Sequence, residues 1–182
     1  MEEKENLIAN NCNFQGIRPA MADLPYPPVQ VRSRNQVYAD LLSVDYCGSV
    51  SEMSAITQYI NNENRLSCIK CPLAKTILGI AMAEMIHLQK LGELVVLLGG
   101  DISFVAKYRN GSNRMWTPGY LSIPGNARKM IIADIEAEKD AISQYKAHMQ
   151  IIRDDCVNAV IARIIKDEEY HIMLLQALLK EV

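Results

Sequence analysis

Apolar positions recur at helical spacing in four blocks along the chain. The first runs from about Asn35 through Val37, Leu41, Val44, Met53, Ile56 and Ile60, and the polar run "NNEN" at 61–64 is expected to end it. A second begins near Pro72, a residue suited to a first helical turn, and stops at Gly99–Gly100. The third spans about Ala127 to Ile152, and the fourth starts at Asp154–Asp155, either of which can cap it, and continues almost to the end. Each block is about 25 residues, or ~38 Å at 1.5 Å per residue. Short turns join blocks one to two and three to four, as antiparallel neighbours require. Between the second and third lies "DISFVAKYRNGSNRMWTPGYLSIPGN", punctuated by Gly and Pro and long enough to cross the height of a bundle. The pattern predicts an all-α four-helix bundle over 35–182 with one long crossover between helices 2 and 3. Ahead of it, residues 1–34 read as an arm, because Pro19, Pro25, Pro27 and Pro28 are spaced too closely for a helix.

Composition narrows the class. Hydrophobic residues make up 49% of 182, enough for one substantial core. The net charge of −2, with no Lys/Arg block, argues against nucleic acid as a partner. The acidic start "MEEKEN" lacks the apolar run of a secretory signal. Glu84, His87, Lys90 and Glu93 interrupt the longest apolar stretches, so no membrane span is expected. Five cysteines, an odd and scattered set, do not form a disulfide framework, and the expectation is a soluble, reduced, cytoplasmic protein.

The chemistry is carried by a repeat. "EMSAITQY" at 52–59 and "EKDAISQY" at 138–145 share five of eight letters in the same order, 86 residues apart. Downstream of the first copy is "EMIHL" at 84–88, and downstream of the second is "EEYHI" at 168–172. Each half therefore reads helix with Glu, turn, helix with Glu-x-x-His. Glu84 and His87, three apart, share a helix face, as do Glu168 and His171. Glu52 and Tyr59 lie almost on one line, and so do Glu138 and Tyr145. Folded around a pseudo-twofold axis, the halves bring four carboxylates and two imidazoles together. Bare, such a cluster repels itself and takes up protons; two divalent cations neutralise it with both histidines neutral. Oxygen-rich ligation with one imidazole per metal suits iron or manganese better than structural zinc. The metal candidates are Glu52, Glu84, His87, Glu138, Glu168 and His171, for two Fe or two Mn ions per chain.

On "EMSAITQY", "AEMIHL", "EKDAISQY" and "DEEYHI", residues 35–180 resemble the ferritin-like superfamily near the rubrerythrin and manganese-catalase branches. The resemblance implies that Glu84 and Glu168 bridge the metals, that Glu52 and Glu138 are terminal, and that His87 and His171 cap one metal each. It implies that Asp167 hydrogen-bonds a ligand histidine and that Tyr59 and Tyr145 approach the ligand carboxylates, which makes these three the catalytic candidates. The chain departs from rubrerythrins in carrying Ala141 one turn beyond Glu138 and in lacking a rubredoxin segment with two Cys-x-x-Cys pairs. Manganese catalases match the six-residue set better but usually extend further at the C-terminus. Bacterioferritins place a haem-ligating Met where Met85 stands; here Met85 is read as a packing residue.

The remaining candidates take bland readings. Cys68-x-x-Cys71 is read as a pair of loop thiols, and Cys12, Cys47 and Cys156 as packing or surface residues. Helical register turns Glu136 and Glu169 off the ligand stripe. His148 is expected to face solvent or a subunit, and Trp116 to pin the crossover to the bundle. The leading function is a dimetal oxidoreductase acting on hydrogen peroxide or dioxygen, with Ala55 and Ala141 leaving room beside the metals. A ferroxidase subunit of a storage cage and a metal-stabilised coat or scaffold bundle are the alternatives. The arm and crossover suit a dimer interface or a pocket lid, so a homo-oligomer, favourably a dimer, is expected. A peroxidase cycle would add an electron-donor protein.

Overall fold

The computed structural model describes residues 12–182; the "MEEKEN" start lies outside them. The described residues form five α-helices: α1 Gln36–Cys47, α2 Glu52–Ser67, α3 Cys71–Leu97, α4 Ala127–Ile151 and α5 Asp155–Leu178. Helices α2 to α5 form the bundle, with α2 packed mainly on α3 and α4 on α5. Side-chain caps start four of the five. Asn35, Ser51, Asn126 and Asp154 each accept a backbone N–H of the first turn.

The first expected helix is two. "GSVS" at 48–51 breaks it, because Gly48 ends α1 where a Cβ would stand 2.6 Å from the Val44 carbonyl oxygen. Ser51 and Ser54 then donate their hydroxyls back to the Gly48 carbonyl, and Ser51 caps α2. The break makes Glu52 the first residue of α2, where the helix dipole favours an acid. "NNEN" does not end α2, which runs on to Ser67, and Asn62 and Glu63 are buried. The crossover contains a short antiparallel hairpin, β1 Val105–Lys107 and β2 Asn113–Met115, that the weak periodicity did not predict. As expected, Trp116 pins it: its Nε1 donates to Ser54 Oγ at 3.0 Å.

Two apolar clusters fill the bundle. One gathers α1, the C-terminal half of α3 and the N-terminal half of α5. The other gathers the C-terminal part of α2, the N-terminal half of α3, the start of α4 and the end of α5. The arm packs on both, through Tyr26, Val29 and Val31 on the first and Phe14 and Ala20 on the second. By length and composition α3 is apolar enough to cross a membrane, contrary to the sequence expectation, but in the fold half of its apolar window is buried.

The cysteine expectation is overturned. Cys12 and Cys71 form a disulfide, with Cα atoms 5.3 Å apart. Cys71 is therefore not a loop thiol but the first residue of α3, tied to the arm 59 residues upstream. Connectivity of this kind depends on where the arm docks, which no local pattern encodes.

Candidate metal centre

Between the two apolar clusters lies a polar layer. Glu52 and Glu138 reach it from α2 and α4; Glu84 with His87 and Glu168 with His171 reach it from the middles of α3 and α5. All six are buried, both imidazoles completely. Their ligand atoms form two groups that share Glu84 and Glu168: Glu52, Glu84, His87 and Glu168, and Glu84, Glu138, Glu168 and His171, each group within 4.8 Å. The sharing of Glu84 and Glu168 between the two groups is the arrangement the family resemblance implies.

Both imidazoles point Nδ1 inward. His87 Nδ1 lies 2.8 Å from Glu84, 3.3 Å from Glu168 and 3.6 Å from Glu52. His171 Nδ1 lies 2.9 Å from Glu168, 3.0 Å from Glu84 and 3.4 Å from Glu138. Each Nε2 points out, to Asp167 Oδ2 at 3.0 Å for His87 and to the Ala20 carbonyl at 2.8 Å for His171. A carbonyl only accepts, so His171 carries its proton on Nε2, and its neutral form offers the Nδ1 lone pair to the centre.

Glu84 Oε1, Glu168 Oε2 and His171 Nδ1 are buried with no hydrogen-bond partner, although His171 Nδ1 stands 3.0 Å from the first and 2.9 Å from the second. Contact without hydrogen-bond direction, among atoms that are all good ligands, fits a shared cation. The donor set of four carboxylates and two imidazoles fits two hard or borderline divalent ions.

Electrostatics of the cluster point the same way. Burial pushes Glu52 and Glu138 well above the carboxylate range, and the charges of Glu84 and Glu168 add to the push. Burial alone would raise Glu84 too, but the His171 and His87 imidazoles hold it well below. Burial would lower both histidines, yet the facing carboxylates hold them well above the ordinary imidazole value. Without metal, the layer stores protons on the groups that cations would displace.

The tyrosines cross over. Tyr59 of α2 donates to Glu138 of α4, and Tyr145 of α4 donates to Glu52 of α2. Both hydroxyls are held far above their ordinary value, by burial first and by the adjacent carboxylate. Asp167 accepts from His87, from Tyr26 and from the Ala22 N–H, and pairs with the Arg163 guanidinium at 2.7 Å. Burial opposes ionisation, but these donors hold its carboxyl down at about 2.

A cavity of about 460 Å³ opens between α2 and α4 onto Glu52, Glu84, Glu138 and Glu168. Ala55 and Ala141 line it, as the small residues beyond each terminal Glu predict. Glu136 and Glu169 stand exposed in pairs with Lys139 and Lys166, off the centre as register requires. Met85 is 48% exposed on the outer side of α3, so it is not a packing residue.

Sequence reasoning missed several members. Arg163 of α5 binds Asp167 one turn on and the Leu24 and Ala22 carbonyls of the arm. Asp134 lines the cavity and takes both its hydrogen bonds from Asn62. His148, expected to face solvent or a subunit, is mostly buried with 12% of its side chain exposed, and its Nδ1 lies 2.7 Å from buried Asp45. One signal for His148 was available: Asn62 and His148, like Gln58 and Gln144, stand at the same 86-residue offset as Glu52 and Glu138.

A family model described as a ferritin-like domain matches residues 51–182. The chain belongs to the ferritin-like family. A probable manganese catalase of Clostridium acetobutylicum is 25% identical over 171 residues, covering 85% of this chain and 75% of that protein. The solved structure of a manganese catalase from Anabaena superposes with a TM-score of 0.74 at 20% identity, covering 88% of this chain and 78% of that one. A bacterioferritin of Mycobacterium tuberculosis gives 0.66 at 23% identity, covering 81% and 87%. These likenesses agree on the ferritin-like fold.

Proposed function

We propose that this ferritin-like protein holds two redox-active ions, iron or manganese, at Glu52, Glu84, His87, Glu138, Glu168 and His171, and decomposes hydrogen peroxide. One observation carries the reading: a cavity leads from the surface to the four carboxylates and is walled there by alanines, which leaves a small molecule access to the centre. The likeness to a probable manganese catalase supports it. A bound metal pair would exchange two electrons with an O–O unit. The chain's own groups do the rest. Glu84 and Glu168 would serve both ions, and Asp167 and the Ala20 carbonyl face the outer Nε2 atoms of His87 and His171, which leaves each Nδ1 to ligate. Tyr59 and Tyr145 fix the terminal carboxylates and face the cavity, where they meet the substrate. Asp167 is a positioning residue. The proposal includes a small homo-oligomer, a dimer first, and an electron-donor protein if the cycle is a peroxidase.

A second reading, a ferroxidase subunit of a storage cage, is favoured by the bacterioferritin likeness. Light scattering followed by ferrous loading in air separates the two. A small oligomer that stops at about two metals per chain and evolves oxygen from peroxide is expected. A shell of many chains holding a mineral core would overturn the peroxide reading, and tight metal without turnover would leave a scaffold bundle.

A further inference from the structure

The pseudo-twofold repeat extends beyond the ligands, and it is there that the two halves stop matching. On one side of the cavity, Gln58 donates to Asn62, and Asn62 donates to both oxygens of Asp134. On the other side, Gln144 donates to Asp45 Oδ1, and His148 Nδ1 lies 2.7 Å from Asp45 Oδ2. Gln58 and Gln144 are counterparts at the 86-residue offset, and so are Asn62 and His148. Each trio ends in a buried aspartate on the cavity wall, next to the tyrosine that bonds a terminal glutamate. Only the second trio contains an imidazole, and its side chain keeps 12% exposure while Asp45 has none.

We propose that His148 and Asp45 form a proton relay between solvent and the cavity, serving the peroxide reaction from the Tyr145–Glu52 side. This rests on the function proposed above. Disproportionation oxidises one peroxide to dioxygen, releasing two protons and two electrons, and reduces a second peroxide to two waters, consuming both. The metal pair accounts for the electrons; the protons need a group that gains and loses them near neutrality, and imidazole is the side chain that does so. Asp45 stands between the two ends of the path. Its Oδ2 faces His148, and the residue shares the cavity wall with Glu52, Gln144 and Tyr145. The wall is polar at this point and the cavity is roomy enough for bridging water.

The placement of Asp45 is costly for a purely structural group. It sits in the last turn of α1, where the helix dipole disfavours an acid, and burial raises its carboxyl while His148 and Gln144 partly offset that. Fastening the 48–51 break to α4 is already done by Gln144, which donates to the Val50 carbonyl as well. The charged and titratable groups around the relay are His148 and Tyr145 on α4, Glu52 on α2 and Glu168 on α5, with Glu84 of α3 acting on Glu52.

The test uses His148→Asn, which copies Asn62 of the other half and keeps a donor for Asp45. In the metal-loaded full chain it should retain both ions and the KM for peroxide while kcat falls roughly a hundredfold, the scale of a lost proton-transfer group. Added imidazole should restore turnover, and the pH–rate profile should lose its near-neutral limb. An unchanged rate and pH profile would overturn the relay. A second readout does not need turnover: in the diamagnetic zinc-loaded chain, the His148 ring titration followed by NMR should shift to lower pH in Asp45→Asn. No shift would overturn the relay as well. If the wild type fails to consume peroxide, the proposed function falls, and the ring titration alone decides whether the pair shares its proton.

Discussion

His87 and His171 occupy equivalent places in the two halves and are held in different ways. His87 is braced by Asp167, a side chain fixed by Arg163, Tyr26 and the Ala22 N–H. His171 is braced by the carbonyl of Ala20. The repeat explains why. The residue before Glu168 is Asp167, but the residue before Glu84 is Ala83, which has nothing to offer an imidazole. The arm fills the gap, carrying Ala20 to the site where its N–H donates to the Gly79 carbonyl at 2.8 Å. Ligands that touch the same pair of ions must match, whereas their outer supports need only supply an acceptor in the right place. A duplicated core can therefore diverge one layer out.

The widest divergence is in the outer aspartates, and Asp134 has the largest expected effect. Burial raises its carboxyl from the ordinary 3.8 up to about 7, with Asn62 partly offsetting the rise. The folded state then binds the proton more tightly than the unfolded chain. The stability this confers is full below about pH 4 and is lost as pH rises toward 7, by as much as about 4 kcal/mol. Asp134→Asn should remove that loss, so urea midpoints of the metal-free protein should diverge from wild type at pH 8 and converge near pH 4. Parallel midpoints at both pH values would show that Asp134 is not the strained acid.

Next in size is Asp167→Asn. It should keep both metals bound but weaken affinity at the His87 site by roughly tenfold, as loss of a hydrogen-bonded acid behind a ligand imidazole does. Competition with a chelator measures it. Equal weakening at both sites would break the distinction between the halves. The smallest effect is expected from Gly79→Val, because a Cβ there already meets the Arg18 carbonyl at 3.2 Å and a larger side chain pushes the arm outward. His171 has its outer partner only in the arm, while Asp167 keeps Arg163 on its own helix. The His171 site should weaken by a few-fold and the His87 site less.

Much of this molecule was legible from spacing. Helix periodicity located α3, α4 and α5 to within a residue or two, and the caps at Asn126 and Asp154 are ordinary start signals. The six ligand candidates converge because Glu-x-x-His is a local pattern that helix geometry turns into a shared face. What spacing could not carry is long-range. The break at 48–51 hides inside a continuous apolar rhythm, and it is set by serine hydroxyls returning to one carbonyl. The arm's role depends on backbone groups of Ala20 and Ala22, whose side chains are mute. The Cys12–Cys71 link joins segments that meet only after the arm has docked.

In the function proposed above, Glu84 and Glu168 serve two ions at once. Elemental analysis of the purified protein beside Glu84→Ala and His87→Ala tests it most directly. About two ions per chain are expected in the wild type, with loss of most of both in Glu84→Ala and of mainly one in His87→Ala. Two tightly bound ions surviving in Glu84→Ala would contradict it.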